Sequence, residues 1–169
     1  MMVEFAVALP VLLTLYSGAY TLSDMVACQH KVTQATRQLT DLVARSTALA
    51  PVDVSGVLAA SAQVLAPYAG AKAAITVSEV QLGTDGTAHV VWSQSLNGTP
   101  LDAGSAVPLP AGTPSRCAVL ILGQVRYAYT PTISLGQAQP LVLSDSLAMS
   151  PRYGPQVPLD GAASATPCA

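Results

Sequence analysis

The chain has 169 residues, enough for one modest domain with an anchor and too few for two ordinary domains. Hydrophobic residues make up 51% and charged residues 9%, against about 25% charged in an average soluble protein, so a membrane segment or an unusually uncharged surface is required. The net charge of -2 and seven scattered Lys and Arg residues leave no basic stripe for phosphate, which argues against nucleic acid as a partner.

Residues 5–22 carry no charge, and their only hydroxyls beyond Tyr are Thr14, Ser17 and Thr21, which can bond back to a helix. Eighteen helical residues span roughly 27 Å, close to the hydrocarbon thickness of a bilayer. No basic start precedes the run, so it reads as a retained anchor rather than a cleaved signal peptide. Glu4 is the only charge before Asp24 and sits beside Phe5 at the edge of the apolar run. A carboxylate there must be neutralised, paired or held at the interface. Pro10 is expected to kink the helix inside the membrane.

Beyond Leu22 the chain turns polar and keeps a helical rhythm. Met25, Cys28, Val32, Ala35, Leu39 and Leu42 form a seam of period 3.5, and Arg37 stands i,i+4 from Asp41. The seam fits packing against the chain's own domain and packing against sister helices equally well. One helix should run to about residue 47 and end before Pro51. The expected organisation is a transmembrane helix over 1–22, a helical stalk over 23–50, an external domain over 51–152 and an extended Pro-rich tail over 153–169.

Asp53 or Ser55 can cap a short second helix reaching to about Ala66. The period then changes to two. Ile75, Val77 and Glu79-Val80 lead through the turn signal Gly83-Thr84-Asp85-Gly86 into Ala88–Ser93, a β-hairpin pattern. Residues 97–115 hold four prolines and three glycines and read as a long exposed loop. Residues 117–129 and 140–149 supply two further strands, and the tail is expected to be pinned through Cys168. The fold class is α+β: a long membrane-spanning helix continuing into a polar helix, a short second helix and an antiparallel sheet of about four strands.

No catalytic constellation emerges. His30 and His89 fall in different elements, the nine acids are dispersed, and no phosphate loop, nucleophile elbow or zinc helix is present. The three cysteines lack metal or redox spacing, so no metal and no cofactor are expected. Cys117 and Cys168 share the external part, and a disulfide between them is expected there; closing that loop would contribute about 4 kcal/mol in the chain-entropy model.

Val3-Glu4-Phe5-Ala6 with Pro10-Val11-Leu12-Leu13 resembles the N-terminus of TadE-like minor pseudopilins of tight-adherence (Flp, type IVb) pili. Val125-Arg126-Tyr127-Ala128-Tyr129-Thr130-Pro131, followed by Leu141 to Met149 and Ser150-Pro151-Arg152, looks like the aromatic strand and closing Pro-Arg of the same family. The resemblance covers about the first fifty residues and, more loosely, 119–152. It implies a precursor cut by a prepilin peptidase after a glycine, with the glutamate as fifth residue of the mature chain; here it is the fourth, and that glycine is absent. It further implies a non-enzymatic, single-pass protein of the bacterial inner membrane with its C-terminal domain in the periplasm. Its partners would be membrane lipid, other pilin and pseudopilin subunits and the assembly platform, in pilus biogenesis and adhesion. Glu4, Phe5 and Pro10 would be the assembly residues, with Glu4 neutralising a neighbouring subunit's N-terminus. The alternative is a membrane-anchored periplasmic binding domain whose loop 97–115 engages a ligand without any filament.

Overall fold

The computed structural model describes residues 2–110, 112–113, 117–131, 139–162 and 165, with side chains from residue 5 except that of residue 6. A single helix, α1 (Met2–Ala44), is followed by α2 (Pro51–Gln63), a one-turn 3-10 segment (Gly70–Lys72) and five strands: β1 (Ala73–Leu82), β2 (Ala88–Leu96), β3 (Ala106–Val107), β4 (Val119–Tyr129) and β5 (Leu141–Met149). The strands form one antiparallel sheet in the order β3-β2-β1-β4-β5. This is the expected α+β architecture, with one strand more than the sequence pattern suggests. The extra strand, β3, is two residues long and too short to leave a period.

α1 is about 65 Å long at 1.5 Å per residue. Its C-terminal half lies over β4 and β5, and α2 covers β1 and β2. Residues 23–50 are therefore one wall of the domain rather than a stalk standing clear of it. Cys28, Val32, Ala35 and Leu39 are fully buried and Met25 packs against the same core, but Leu42 is 50% exposed. A straight helix drifts about 20° per heptad from a 3.5 repeat, so Val43 and Ala44 take the inward place. The stripe is also wider than the apolar residues indicate, because Thr36 and Thr40 are fully buried. Their hydroxyls donate to the carbonyls of Val32 and Thr36 at 2.9 and 2.8 Å, which removes the penalty of burying them.

The helix ends at Ala44, short of residue 47. Asp41 pairs with Arg45 and Arg152 at 2.7 and 2.6 Å rather than with Arg37. The N–H of Arg152 also closes on the Ala44 carbonyl at 2.8 Å, tying the chain after β5 to the end of α1. α2 begins at Pro51, whose fixed φ suits a first helical position. Asp53 sits inside the first turn and not at the cap; its carboxylate accepts the Ala50 N–H at 3.2 Å.

The sheet buries both faces. Under the helices lie Ala73, Ile75, Val77, Trp92, Ile121, Val125, Tyr127 and Tyr129. A bulge at Glu79/Val80 shifts the register. On the opposite face Val80, Leu82, Ala88, Val90, Leu120 and Leu122 form a second, smaller cluster. Leu101, Val107 and Leu109 cover it, so the segment after β2 is a packed cover and not a free loop. The hairpin between β1 and β2 closes with Gly83 N–H on Thr87 O at 2.9 Å, and Gly86 sits at φ 82, where a side chain would be strained.

The tail also departs from expectation. Val157 is fully buried and Leu159 nearly so, and Leu49 forms a parallel bridge with Leu159. Leu49 N–H donates to Pro158 O and Asp160 N–H to Leu49 O, both at 3.0 Å. Alternating Val157 and Leu159 around Pro158 places two apolar side chains on one side of an extended segment, and these pack into the core.

Gly123 sets how closely α1 approaches β4. A Cβ on it would overlap Thr40 Oγ1. Gly123→Ala should cost about 1–3 kcal/mol in overpacking, and Thr40→Ala in that background should recover part of the loss. Denaturant unfolding of the full-length protein in detergent micelles, run as a double-mutant cycle, reads the coupling; additive effects would show that the two residues do not compete for space.

Candidate functional site: the anchor helix and its junction

The N-terminal half of α1 contrasts with the rest of the molecule. Phe5, Val7, Leu9, Val11, Leu12, Leu13, Leu15, Tyr16, Tyr20 and Leu22 are all exposed, on every side of the helix. An 18-residue window of this helix is apolar enough to cross a membrane, and 6% of it is buried inside the protein. Nothing among the described residues covers these side chains. Their hydroxyl-bearing neighbours are already satisfied: Thr14 donates to Val11 O at 2.8 Å, Ser17 to Thr14 O at 3.0 Å and Thr21 to Ser17 O at 2.9 Å. With these three hydroxyls bonded back to the helix, the segment is suited to an apolar surrounding. Among the described residues there is thus one helix fit to be a single transmembrane anchor, near the N-terminus.

Among the expected assembly residues, Phe5 is 66% exposed at the start of this surface and Pro10 lies within the helix. Pro10 has no N–H to give the carbonyl one turn earlier, which leaves that acceptor to another donor. Glu4 belongs to the first turns of α1; its side chain lies outside the described part. The seam residues 25–39 do not join these three on one face, because they are consumed by the chain's own sheet. That answers one of the two packing readings: the inward stripe serves the domain.

Where the naked half meets the packed half, a polar knot fixes the helix to the sheet. Asp24 receives the Tyr68 hydroxyl on Oδ1 at 2.8 Å and the Tyr129 hydroxyl on Oδ2 at 2.7 Å. Tyr68 also stacks edge-on against Tyr127, with ring centroids 6.2 Å apart. Burial and the bond to the Asp24 carboxylate push the Tyr68 phenol up to about 12, and the same causes raise Tyr129. One turn on, burial and the same carboxylate push the Cys28 thiol up to about 11, so it stays a neutral apolar group. The pattern of residues gave a signal for this knot that went unused: Asp24 is the first charge after the apolar run, and Tyr129 ends the aromatic strand.

Other ionisable groups do not converge. Among the described residues no three His, Cys, Asp or Glu side chains are placed to hold a metal. His30 is exposed, and His89, near the start of β2, is held by Thr87 Oγ1 and Gly104 O at 3.1 Å each. Cys28 is free and buried, and Cys117 is disulfide-bonded. Cys168 lies outside the described residues. No protein-family model, curated protein or solved structure matches the chain.

Two outcomes follow from this geometry. Tyr68 holds its proton to about pH 12 when folded, against about 10 when unfolded, so the stability it supplies is whole below pH 10 and is lost as pH rises toward 12. Tyr68→Phe should lower stability by about 1.5 kcal/mol at neutral pH and flatten that alkaline loss; an unchanged alkaline profile in unfolding experiments would remove Tyr68 as its source. Non-reducing peptide mapping should find the Cys117 bridge closed onto Cys168, with Cys28 unlabelled by maleimide until the protein is unfolded; a Cys28–Cys117 peptide would refute the pairing.

Proposed function

We propose that this chain is a minor pilin-like (pseudopilin) subunit of a tight-adherence type IVb pilus, anchored in a bacterial inner membrane with its domain on the periplasmic side. It acts by assembly and not by catalysis. The observation that carries this reading is the division of α1 into a half that its own domain buries and a half that nothing buries. Each exposed Leu, Val or Phe of the latter gains about 1.5–3 kcal/mol on leaving water, and lipid or neighbouring helices satisfy it equally well. A helix of that kind can pass from bilayer to a helical bundle without changing its own fold. The resemblance of residues 3–13 and 125–152 to TadE-like proteins supports the same reading. Its partners are then membrane lipid, other pilin and pseudopilin subunits, the pilus assembly platform and, on a precursor, the prepilin peptidase. Adhesion is the downstream consequence.

Glu4 is the residue on which this reading can be tested. Replacing a carboxylate at the edge of an apolar helix by an amide eases insertion, by up to a few kcal/mol. Anchoring is therefore not what Glu4→Gln should damage. In a helix bundle a subunit's terminal ammonium loses solvent, and a nearby carboxylate offsets that loss far better than an amide. The expected result is a normal membrane level of Glu4→Gln with at least about a tenfold fall in recovery with sheared pili, the loss equivalent to one charge-assisted bond. Normal piliation in the variant would sink the filament role and favour an anchored periplasmic binding domain.

A further inference from the structure

Glu79 is the one acidic side chain of the described residues that is completely buried. It lies on the helix-facing side of β1, paired across the sheet with Trp92 on β2 and Ile121 on β4. Its Oε1 accepts the N–H of Val157 at 2.7 Å, while Oε2 has no hydrogen-bond partner. The same tail peptide is gripped from its other side, since Trp92 Nε1 donates to Val157 O at 2.9 Å. A second buried acceptor without a donor, Gln156 Oε1, belongs to the adjacent tail residue. Both atoms are buried acceptors without a donor, and a proton on the Glu79 carboxyl would place a donor at Oε2 in place of a bare charge.

An ionised carboxylate in this position would be costly. The groups acting on it are Trp92 and the Val157 N–H, with no Lys, Arg or His among them. Core residues on the helices of that side, Val43, Ala44, Val54 and Leu58, are apolar. Desolvation raises the Glu79 carboxyl above its ordinary value, more than the Val157 N–H and the nearby Trp92 lower it. A leucine or a glutamine could fill the same place without that penalty.

The cover over Glu79 is also the part of the fold best suited to leave. Segment 156–160 enters through Arg152, Tyr153, Gly154 and Pro155, all exposed. It holds on by the two Val157 bonds, the Leu49 bridge and the buried side chains of Val157 and Leu159, with Ala165 buried beyond it.

We infer that Glu79 is a proton-operated clasp on the C-terminal tail: as the neutral acid it keeps segment 156–160 seated, and as the carboxylate it lets the segment go. With the tail seated the carboxyl keeps its proton. Once the tail lifts, water reaches the carboxyl and it ionises at an ordinary carboxylate value. The sign follows from linkage. Seating is favoured fully below the ordinary carboxylate value and weakens as pH rises through the raised one. Release bares Trp92 and the groove beside Leu49. This holds whether or not the chain enters a filament, so its test is separate from that of Glu4.

The test is hydrogen exchange on the full-length protein in detergent micelles, corrected for the intrinsic pH dependence. Above the ordinary carboxylate range, protection of the Val157 and Asp160 amides should fall by up to about tenfold per pH unit, the limit for release of one proton. Amides of Ile75 and Val125 should hold their protection. Glu79→Gln keeps an acceptor for Val157 and cannot ionise, so its protection should not vary with pH. A flat wild-type profile, an equal slope in Glu79→Gln, or a parallel fall at Ile75 overturns the clasp. Glu4 and Glu79 are the two glutamates of the chain, so carbon-13 labelling of glutamate gives a direct titration of Glu79 even if the variant fails to fold. A Glu79 that is already ionised while Val157 remains protected also overturns it.

Discussion

The structure depends on one continuous helix that must satisfy two surroundings. Over residues 5–22 every side of α1 is apolar and uncovered, and from Cys28 to Ala44 one stripe is buried by the sheet. Because the helix runs through the change without a break, the direction of the anchor and the orientation of the domain are one degree of freedom. The Asp24 knot tightens this coupling at the point where it would otherwise bend. Two phenols on a single carboxylate, one from the segment after α2 and one from the end of β4, brace the helix against two separate parts of the domain. A force on the anchor is therefore delivered to β4, the strand that α1 crosses most closely at Gly123.

A second dependency runs the other way along the chain. The core under α2 is not complete until the tail is in place: Val157 and Leu159 fill it, and Leu49 reaches its backbone partners only in residues 158–160. Likewise β4 must cross from the β3 edge to the far side of β1 before β5 can pair. Contacts of such sequence separation form late and carry a loop-closure cost. Folding of this domain is thus tied to the arrival of its C-terminus, in contrast to the anchor, which as a helix needs only local bonds.

Much of this was legible in the residues because it rests on period. The apolar run, the 3.5 seam, the period of two in β1 and the alternation of β4 each reflect burial of one repeating face. What escaped notice was carried by residues whose type misleads. Thr36 and Thr40 carry polar side chains and fall outside the apolar seam, yet their hydroxyls bond backward and they line the core. Glu79 follows Ile75 and Val77 at the same spacing, so alternation placed it inward; its charge made that position easy to pass over. Prolines in 97–115 and in the tail suppressed the strand pattern, although Leu101, Val107, Leu109, Val157 and Leu159 were the apolar residues that dock those segments. Composition marks what cannot join a ladder, and it says nothing about what can still pack.

The low charge of the domain acquires a physical sense on the assembly reading. Burying a charged surface against a neighbour requires desolvation that ion pairing seldom recovers. Burying hydroxyls that are already bonded requires much less. On the face of the sheet away from the helices, Thr76 meets Ser95 and Ser78 meets Ser93, each pair at 2.9 Å, with Ser95 donating to Ile75 O and so accepting from Thr76. These groups are satisfied inside the chain before any partner arrives. Ser78 is buried there and Ser93 also accepts the Leu101 N–H at 3.0 Å, so these bonded hydroxyls already lie partly under the chain's own cover. On that reading the naked helix would give the free energy for association, and a domain with few charges and self-satisfied hydroxyls would keep the opposing terms small.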